Sequence, residues 1–351
     1  MQKIIFVVDD NATNLTVVEN ALANQYRVIA LSSAASMFTA LKKFRPDLIL
    51  LDIEMPEMNG FEAIQQLKTD DAYVNIPVVF LTGRTDVDSE TRGIELGAVD
   101  FIMKPFSEPV LLIRIKNHLH VDELIRERTM QLIERTEQLV KLKNGIVYTM
   151  ADLVENRDKN TGGHIDRTSM YMKILTGTMI DKGIYADNMR GWDLDSMVSS
   201  ARLHDIGKIV ISDIILNKPG PLTKEEFEIM KTHASEGACI IDKAIERTGD
   251  ADFLHNAKIF AAYHHERWDG SGYPHGMKGT DIPLQGRIMA IIDVYDALVS
   301  ERPYKKAFTH EKAVSIIMED AGKHFDPNIA NVFNEINRLV MAAKTSFDEN
   351  P

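Results

Sequence analysis

The 351-residue sequence predicts two folded units joined by a long helix: a five-stranded parallel α/β sheet, then an all-helical unit. Three patterns carry this prediction. Up to about residue 120, short apolar runs alternate with amphipathic stretches, as doubly wound parallel sheets do. From about Asn117 to Leu153 no strand pattern occurs, and an apolar residue recurs every seventh position. Beyond that, to about residue 340, helical periodicity dominates.

Taken in order, Ile4–Val8, Arg27–Leu31, Leu48–Leu51, Pro77–Leu81 and Phe101–Met103 read as strands. Their near-continuous hydrophobicity is what burial on both faces demands. Leu15–Ala23 and Met37–Phe44 have the period of intervening helices. In the middle segment Ile125, Leu132, Leu139, Ile146 and Leu153 form a heptad series flanked by Glu, Arg and Lys. That spacing predicts a seam pairing two copies into a homodimer; a single helix lying on its own domain is the alternative, because Thr129, Thr136 and Lys143 weaken the companion positions. The resulting divisions are 1–120, a helical linker at 121–150, a helical unit at 151–340, and a frayed, flexible tail at 341–351.

Bulk properties exclude several classes. The formal net charge of −12 argues against nucleic acid as a general partner. No apolar run is long enough to cross a bilayer, and the N-terminus enters a strand pattern without a signal-peptide layout. The single cysteine, Cys239, excludes an internal disulfide, fits a reducing cytoplasm and reads as a small buried hydrophobe.

Polar residues close the strands of the first unit: Asp9 and Asp10, Asp52, Thr82 and Lys104. Ligands of open parallel sheets bind at these carboxyl ends. Three converging carboxylates repel one another unless a cation such as Mg²⁺ lies between them. An aspartate can also accept a phosphoryl group, with a hydroxyl and an ammonium steadying its oxygens. The stretches Asp9-Asp10, Asp52-Ile-Glu-Met-Pro-Glu-Met-Asn-Gly60, Thr82 and Lys104-Pro105-Phe106 resemble the receiver domain of two-component response regulators. The resemblance covers nearly all of residues 1–120 and implies a flavodoxin-like fold. It further implies phosphorylation of Asp52 by a cognate histidine kinase, Mg²⁺ held by Asp10 and Asp52 with help from Asp9, and phosphoryl handling by Thr82 and Lys104. Phe101 is then the rotating aromatic that reports the phosphate. Gly83 departs from the pattern, where alanine usually follows the threonine, and bears on phosphate lifetime.

The helical unit contains Ala201-Arg-Leu-His-Asp-Ile-Gly-Lys208, with Leu203 and Ile206 facing a core and His204 and Asp205 between them. Other segments offer His164 after Thr161-Gly-Gly, His233 on a helix through Phe227–His233, the pair His264-His265, and Asp293 within the apolar run Ile288–Val294. Imidazoles and carboxylates in apolar helices are costly to bury unless paired or metal-bound. Five histidines and two aspartates without a thiolate suit Fe or Mn, with Ni or Zn as further options. Seven ligands exceed what one ion needs, so two transition-metal ions bridged by a carboxylate is the economical reading.

Thr161-Gly-Gly-His, His204-Asp-Ile-Gly-Lys208, Asn217-Lys-Pro-Gly-Pro-Leu-Thr223, His264-His-Glu-Arg-Trp-Asp-Gly-Ser-Gly-Tyr-Pro274 and Arg302-Pro-Tyr-Lys305 closely resemble the HD-GYP family of metal-dependent phosphodiesterases. The match runs from about residue 150 to 335 and implies an all-α HD-superfamily hydrolase fold. By that resemblance His164, His204, Asp205, His233, His264, His265 and Asp293 are the ligands, with Asp205 bridging. Lys208 lies beside the scissile phosphate, Tyr273 shapes the loop over the substrate, and Arg302 and Lys305 contact its phosphates. The implied substrate is cyclic di-GMP, opened to pGpG and often cut on to GMP. Some members use a glutamate four residues before the first histidine for a third metal; here Asn160 stands there, which favours two.

Trp268 and Tyr273 offer ring faces for guanine, with plain packing as the alternative. His255, His275, His310 and His324 match no ligand position and read as surface or capping residues. The competing functions are a phosphodiesterase preferring the hybrid 3′,3′-cyclic GMP-AMP, a weak dinucleotide-binding interaction module, and a DNA-binding regulator. No helix-turn-helix or basic face supports the last.

Overall fold

The computed structural model describes residues 2–83, 87–158, 163–249, 252–301 and 306–349, with the backbone alone at 87–89 and 348–349. The chain divides into two compact units at Glu137 and Gln138.

In the first unit, β1 (Ile4–Val8), β2 (Arg27–Leu31), β3 (Leu48–Asp52), β4 (Val78–Thr82) and β5 (Asp100–Met103) form one parallel sheet in the order β2-β1-β3-β4-β5. The strands lie where the apolar runs place them. Every residue of β3 and β4 is buried, which explains the absence of alternation. Helices α1 (Ala12–Leu22), α2 (Ala34–Leu41), α3 (Gly60–Thr69) and α4 (Val87–Glu95) fill the crossovers. Two apolar cores result, one on each side of the sheet, around Phe6, Ile49 and Phe80 and around Val7, Leu50 and Leu81.

Helix α5 is continuous over Glu108–Arg157. Leu111, Ile115 and Leu119 at its start belong to the core of the first unit. Val147 near its end belongs to a core cluster of the second unit with Leu203, Ile241, Ala257 and Ala261. The heptad residues Ile125, Leu132, Leu139, Ile146 and Leu153 are each between 49% and 65% exposed, so the series is a solvent-facing stripe on a single chain. Thr129 and Thr136 turn their hydroxyls back to the carbonyls of Ile125 and Leu132, both at 2.8 Å, leaving the methyl groups for the surface.

The second unit is helical: α6 (His164–Asp181), α7 (Ala186–Met189), α8 (Leu194–Ala201), α9 (Asp213–Leu216), α10 (Lys224–Thr248), α11 (Asp252–Tyr263), α12 (Leu284–Val299), α13 (His310–Glu319) and α14 (Pro327–Glu349). Its main core gathers Tyr171, Phe260, Met289, Tyr295 and Phe333. Helix α14 continues into the segment read as a tail, to Glu349, and the Arg167 guanidinium lies 5.9 Å from the Phe347 ring. One expectation fails here. Cys239 is exposed, because it falls on the outer face of α10, while His233, Gly237 and Ile241 take the inner one.

Candidate metal centre

The His-Asp motif does not lie within a regular helix. Helix α8 stops at Ala201, and His204-Asp205 occupy the turn before a short 3₁₀ helix, Ile206–Val210. Gly207 makes the turn possible: a Cβ there would fall 1.9 Å from the carbonyl oxygen of His233. The turn therefore presses against α10 at the histidine that completes the site. Gly272 has a similar place in the loop after His265, where a Cβ would come 2.3 Å from the Arg267 nitrogen. Buried Glu266 holds that loop, accepting from the amides of His275 at 2.7 Å and Met277 at 2.9 Å.

All seven ligand candidates converge, in two groups. Asp205, His233, His264 and His265 bring one donor atom each within 4.8 Å of one another, and His164, His204 and Asp293 do the same. Asp205 joins the groups. Its Oδ2 lies 3.4 Å from His204 Nε2, and its Oδ1 lies 3.3 Å from His233 Nε2 and 3.6 Å from His264 Nε2. The outer ring nitrogens fix the tautomers. The Nδ1 atoms of His204, His233 and His264 sit 2.9, 2.7 and 2.9 Å from the carbonyls of Ala201, Met230 and Phe260. His164 Nδ1 lies 2.8 Å from Asp296 Oδ2. With Nδ1 donating, four Nε2 lone pairs point inward, and two pairs of them meet at 3.4 Å (His164–His204) and 3.3 Å (His233–His264). Facing lone pairs at that distance repel unless a cation lies between them, so this donor set fits bound metal.

Charges around the cluster follow the same logic. Burial would raise the Asp205 carboxyl, but the Lys208 ammonium at 2.8 Å outweighs it and holds it well below the usual carboxylate range. Burial would lower the Lys208 ammonium, yet Asp205 at 2.8 Å and Asp158 at 3.1 Å keep it charged. Burial, with His264 and His233 beside it, pushes His265 well down, so its ring is neutral and free to ligate.

Several residues have supporting roles that sequence reasoning does not assign. Asp296 is buried and accepts from His164 and from Arg167 Nε at 2.7 Å. The one signal was its place three residues after Asp293, on the same face of α12. Glu155 accepts from the His164 amide at 2.8 Å, and Asp158 pairs with Lys208; both lie at the end of α5 or just beyond it. Arg157 binds the carbonyls of Ile209 at 2.7 Å and Ile211 at 3.1 Å, tying the segment after Lys208 to the same helix end. His324 is not an ordinary surface residue. It stacks on Phe325 at 4.2 Å, and burial beside Arg267 lowers it to about 4.

Tyr273 lies against the cluster, 4.7 Å from His265 between ring centroids. Trp268 instead packs 6.0 Å from the guanidinium of Arg287, which pairs with Asp326. Arg302, Lys305 and Asn160 lie outside the described residues.

At the strand ends of the first unit, Asp9, Asp10 and Asp52 bring carboxylate oxygens within 4.8 Å of one another. Lys104 Nζ reaches Asp9 at 2.7 Å and Asp52 at 2.8 Å, and Thr82 closes β4 beside them in sequence register. Burial raises the Asp52 carboxyl despite Lys104. A clustered set of oxygens of this kind suits Mg²⁺. Phe101 lies 5.3 Å from Phe80, its ring covering Gly93 so closely that a Cβ there would sit 2.3 Å from Cζ.

An acidic cluster at the mouth of a five-stranded parallel sheet, followed by a helical unit with an inward-facing N/O donor set, defines a receiver-type module joined to a metal-binding helical module. Comparison with known families agrees. The family model described as response regulator receiver domain matches residues 5–116, and the HD domain model matches residues 125–329. The chain belongs to the response regulators that carry an HD domain after their receiver. A Vibrio cholerae protein named "Probable cyclic di-GMP phosphodiesterase" is 41% identical across 98% of this chain and 80% of its own length. The cyclic di-GMP phosphodiesterase response regulator RpfG of Xanthomonas campestris is 31% identical across 92% of this chain and 85% of that protein. A Vibrio cholerae protein named 3′3′-cGAMP-specific phosphodiesterase 2 is 36% identical over 59% of this chain and 37% of its own length. Among the described residues, no helix is long and apolar enough to cross a membrane.

Proposed function

We propose that this chain is a phosphorylation-controlled phosphodiesterase that hydrolyses cyclic di-GMP. The observation that carries the reading is the division of seven N/O donors into two adjoining groups that share Asp205, with the Lys208 ammonium at its side. Two metal ions in such a site would acidify a water and clamp the nonbridging phosphate oxygens. The chain's own residues do the rest. Asp205 spans both groups, Asp296 and three backbone carbonyls hold the imidazoles with Nε2 inward, and Lys208 offsets charge growing on the phosphoryl group. Arg302 and Lys305 are assigned to the substrate's phosphates, Arg302 through its planar fork and Lys305 as a point charge. Fe or Mn is the expected metal, with Mg²⁺ at Asp9, Asp10 and Asp52 in the receiver. A binding-only module would not need the complete donor set.

Phosphorylation of Asp52 by a histidine kinase is the expected input, and α5, paired with a second copy along its exposed stripe, is the route to the hydrolase. The relatives include enzymes of both cyclic di-GMP and cyclic GMP-AMP, so the test is product analysis on both dinucleotides with Mn²⁺-loaded full-length protein. Turnover of cyclic di-GMP to pGpG or GMP, at the higher kcat/KM of the two, supports the assignment. Exclusive turnover of the hybrid dinucleotide would replace it.

A further inference from the structure

One exposed aromatic of the helical unit lies close to the ligand cluster. Phe227, in the first turn of α10, is 47% exposed. Its ring nonetheless meets Tyr273 nearly at a right angle, with centroids 6.4 Å apart and planes at 81°. Tyr273 lies 4.7 Å from His265 and 6.5 Å from His233. The rings thus step outward from the ligand cluster, from His265 to Tyr273 to Phe227. Lys231, one turn beyond Phe227, places its Nζ 5.3 Å from the Phe227 centroid and 5.7 Å from that of Tyr273. Glu228, at 2.6 Å, steadies the ammonium in that position.

Two rings at a right angle form a corner in which a flat heterocycle lying on one ring turns its edge to the other. We propose that Phe227, Tyr273 and Lys231 form the subsite for a purine of the substrate, and that Lys231 makes it prefer guanine to adenine. The inference rests on the cyclic dinucleotide reading above. With a phosphate at the His/Asp cluster, the base tethered to it through ribose falls on the neighbouring rings. Stacking alone does not choose between purines, because every base has a π face. The base edge does choose. Guanine presents two acceptors, N7 and O6, whereas adenine presents the acceptor N7 beside the donor N6 amino group. An ammonium has only hydrogens to give, so it bonds both guanine acceptors and meets the adenine amino group donor against donor.

The test compares full-length wild type, Phe227→Ala, Phe227→Trp and Lys231→Met on cyclic di-GMP and cyclic di-AMP. It also measures equilibrium binding of GMP and AMP to the Mn²⁺-loaded proteins. Phe227→Ala is expected to raise KM and weaken mononucleotide binding about tenfold for both bases, with metal content as in wild type. Phe227→Trp should restore both. Lys231→Met should reduce the guanine-to-adenine preference by at least about fivefold, in turnover and in mononucleotide binding. Unchanged KM and binding in Phe227→Ala overturns the subsite, and an equal effect of Lys231→Met on both bases overturns its selectivity. Absence of dinucleotide turnover by wild type would count against the proposed function. Mononucleotide binding would still decide the subsite, as base-dependent binding lost in Phe227→Ala supports it and binding unaffected by that change overturns it.

Discussion

Replacing Asp296 by asparagine changes one oxygen to an amide in the buried support of the metal centre. Asp296 is 1% exposed and accepts from His164 Nδ1 at 2.8 Å and from Arg167 Nε and Nη2 at 2.7 and 2.9 Å. Burial would raise its carboxyl, but the hydrogen bonds from His164 and Arg167 prevail and hold it at about 2, against an ordinary value of 3.8. A depressed carboxylate contributes stability that is fully present above its unfolded value near 4 and is lost as pH falls through about 2. The difference corresponds to about 2 to 3 kcal/mol at neutral pH. Asp296→Asn would remove the carboxylate charge opposite the buried Arg167 guanidinium, a loss on the order of 3 kcal/mol by comparison with other broken buried pairs. The amide can also turn its NH₂ toward His164, which favours the tautomer with Nδ1 accepting and Nε2 protonated. Metal affinity should then fall about 10- to 100-fold. The assays are denaturant unfolding of the helical unit, followed by its two tryptophans, and metal titration of the same preparations. Wild-type metal affinity in a folded Asp296→Asn protein would refute the claim that this carboxylate sets the orientation of His164.

Three further predictions concern backbone space and coupling. Gly207→Ala should abolish metal retention and turnover while the first unit keeps its unfolding transition, because the new Cβ lands 1.9 Å from the His233 carbonyl; a metal-replete, active variant would show that the turn can shift freely. Gly83→Ala meets nothing within 4 Å, so it should fold normally and, by restoring the alanine usual after the threonine in receivers, lengthen the lifetime of the aspartyl phosphate in a phosphate-release assay. An unchanged lifetime would show that position 83 has no bearing on it. Leu132→Lys with Leu139→Lys should convert a dimer to a monomer in analytical ultracentrifugation and leave beryllofluoride binding at Asp52 intact without effect on turnover. A response that survives would place the coupling elsewhere than the α5 stripe.

The parallel sheet was legible because burial on both faces writes itself as uninterrupted apolar runs, and the strands end in the polar residues that the sequence pattern singles out. The seven candidate donors that the fold brings together were easy to single out because histidine and aspartate are conspicuous in apolar surroundings. What holds them was not. Asp296 reaches His164 across 132 positions and Arg157 reaches Ile209 across 52, and such partnerships exist only once the helices pack. Glu155 and Asp158 stand near Asn160 in the sequence, but neither occupies the position where some family members carry a third-metal ligand, and their partners His164 and Lys208 appear only in the fold. Nothing in the sequence singles out Phe227, since exposure on one face of a helix depends on which neighbours cover it. Burial of Cys239 was not to be read from residue type, because general burial statistics cannot say which face of α10 is inner.

Whether the helical unit is a two-metal hydrolase turns on metal content set against turnover in wild type and Asp205→Ala, after dialysis that removes weakly held divalent ions. Two transition-metal ions per wild-type chain are expected, with loss of cyclic di-GMP hydrolysis on chelation, recovery with Fe²⁺ or Mn²⁺, and neither full metal content nor turnover in Asp205→Ala. Hydrolysis at the wild-type rate by demonstrably metal-free protein, or by Asp205→Ala, would contradict it.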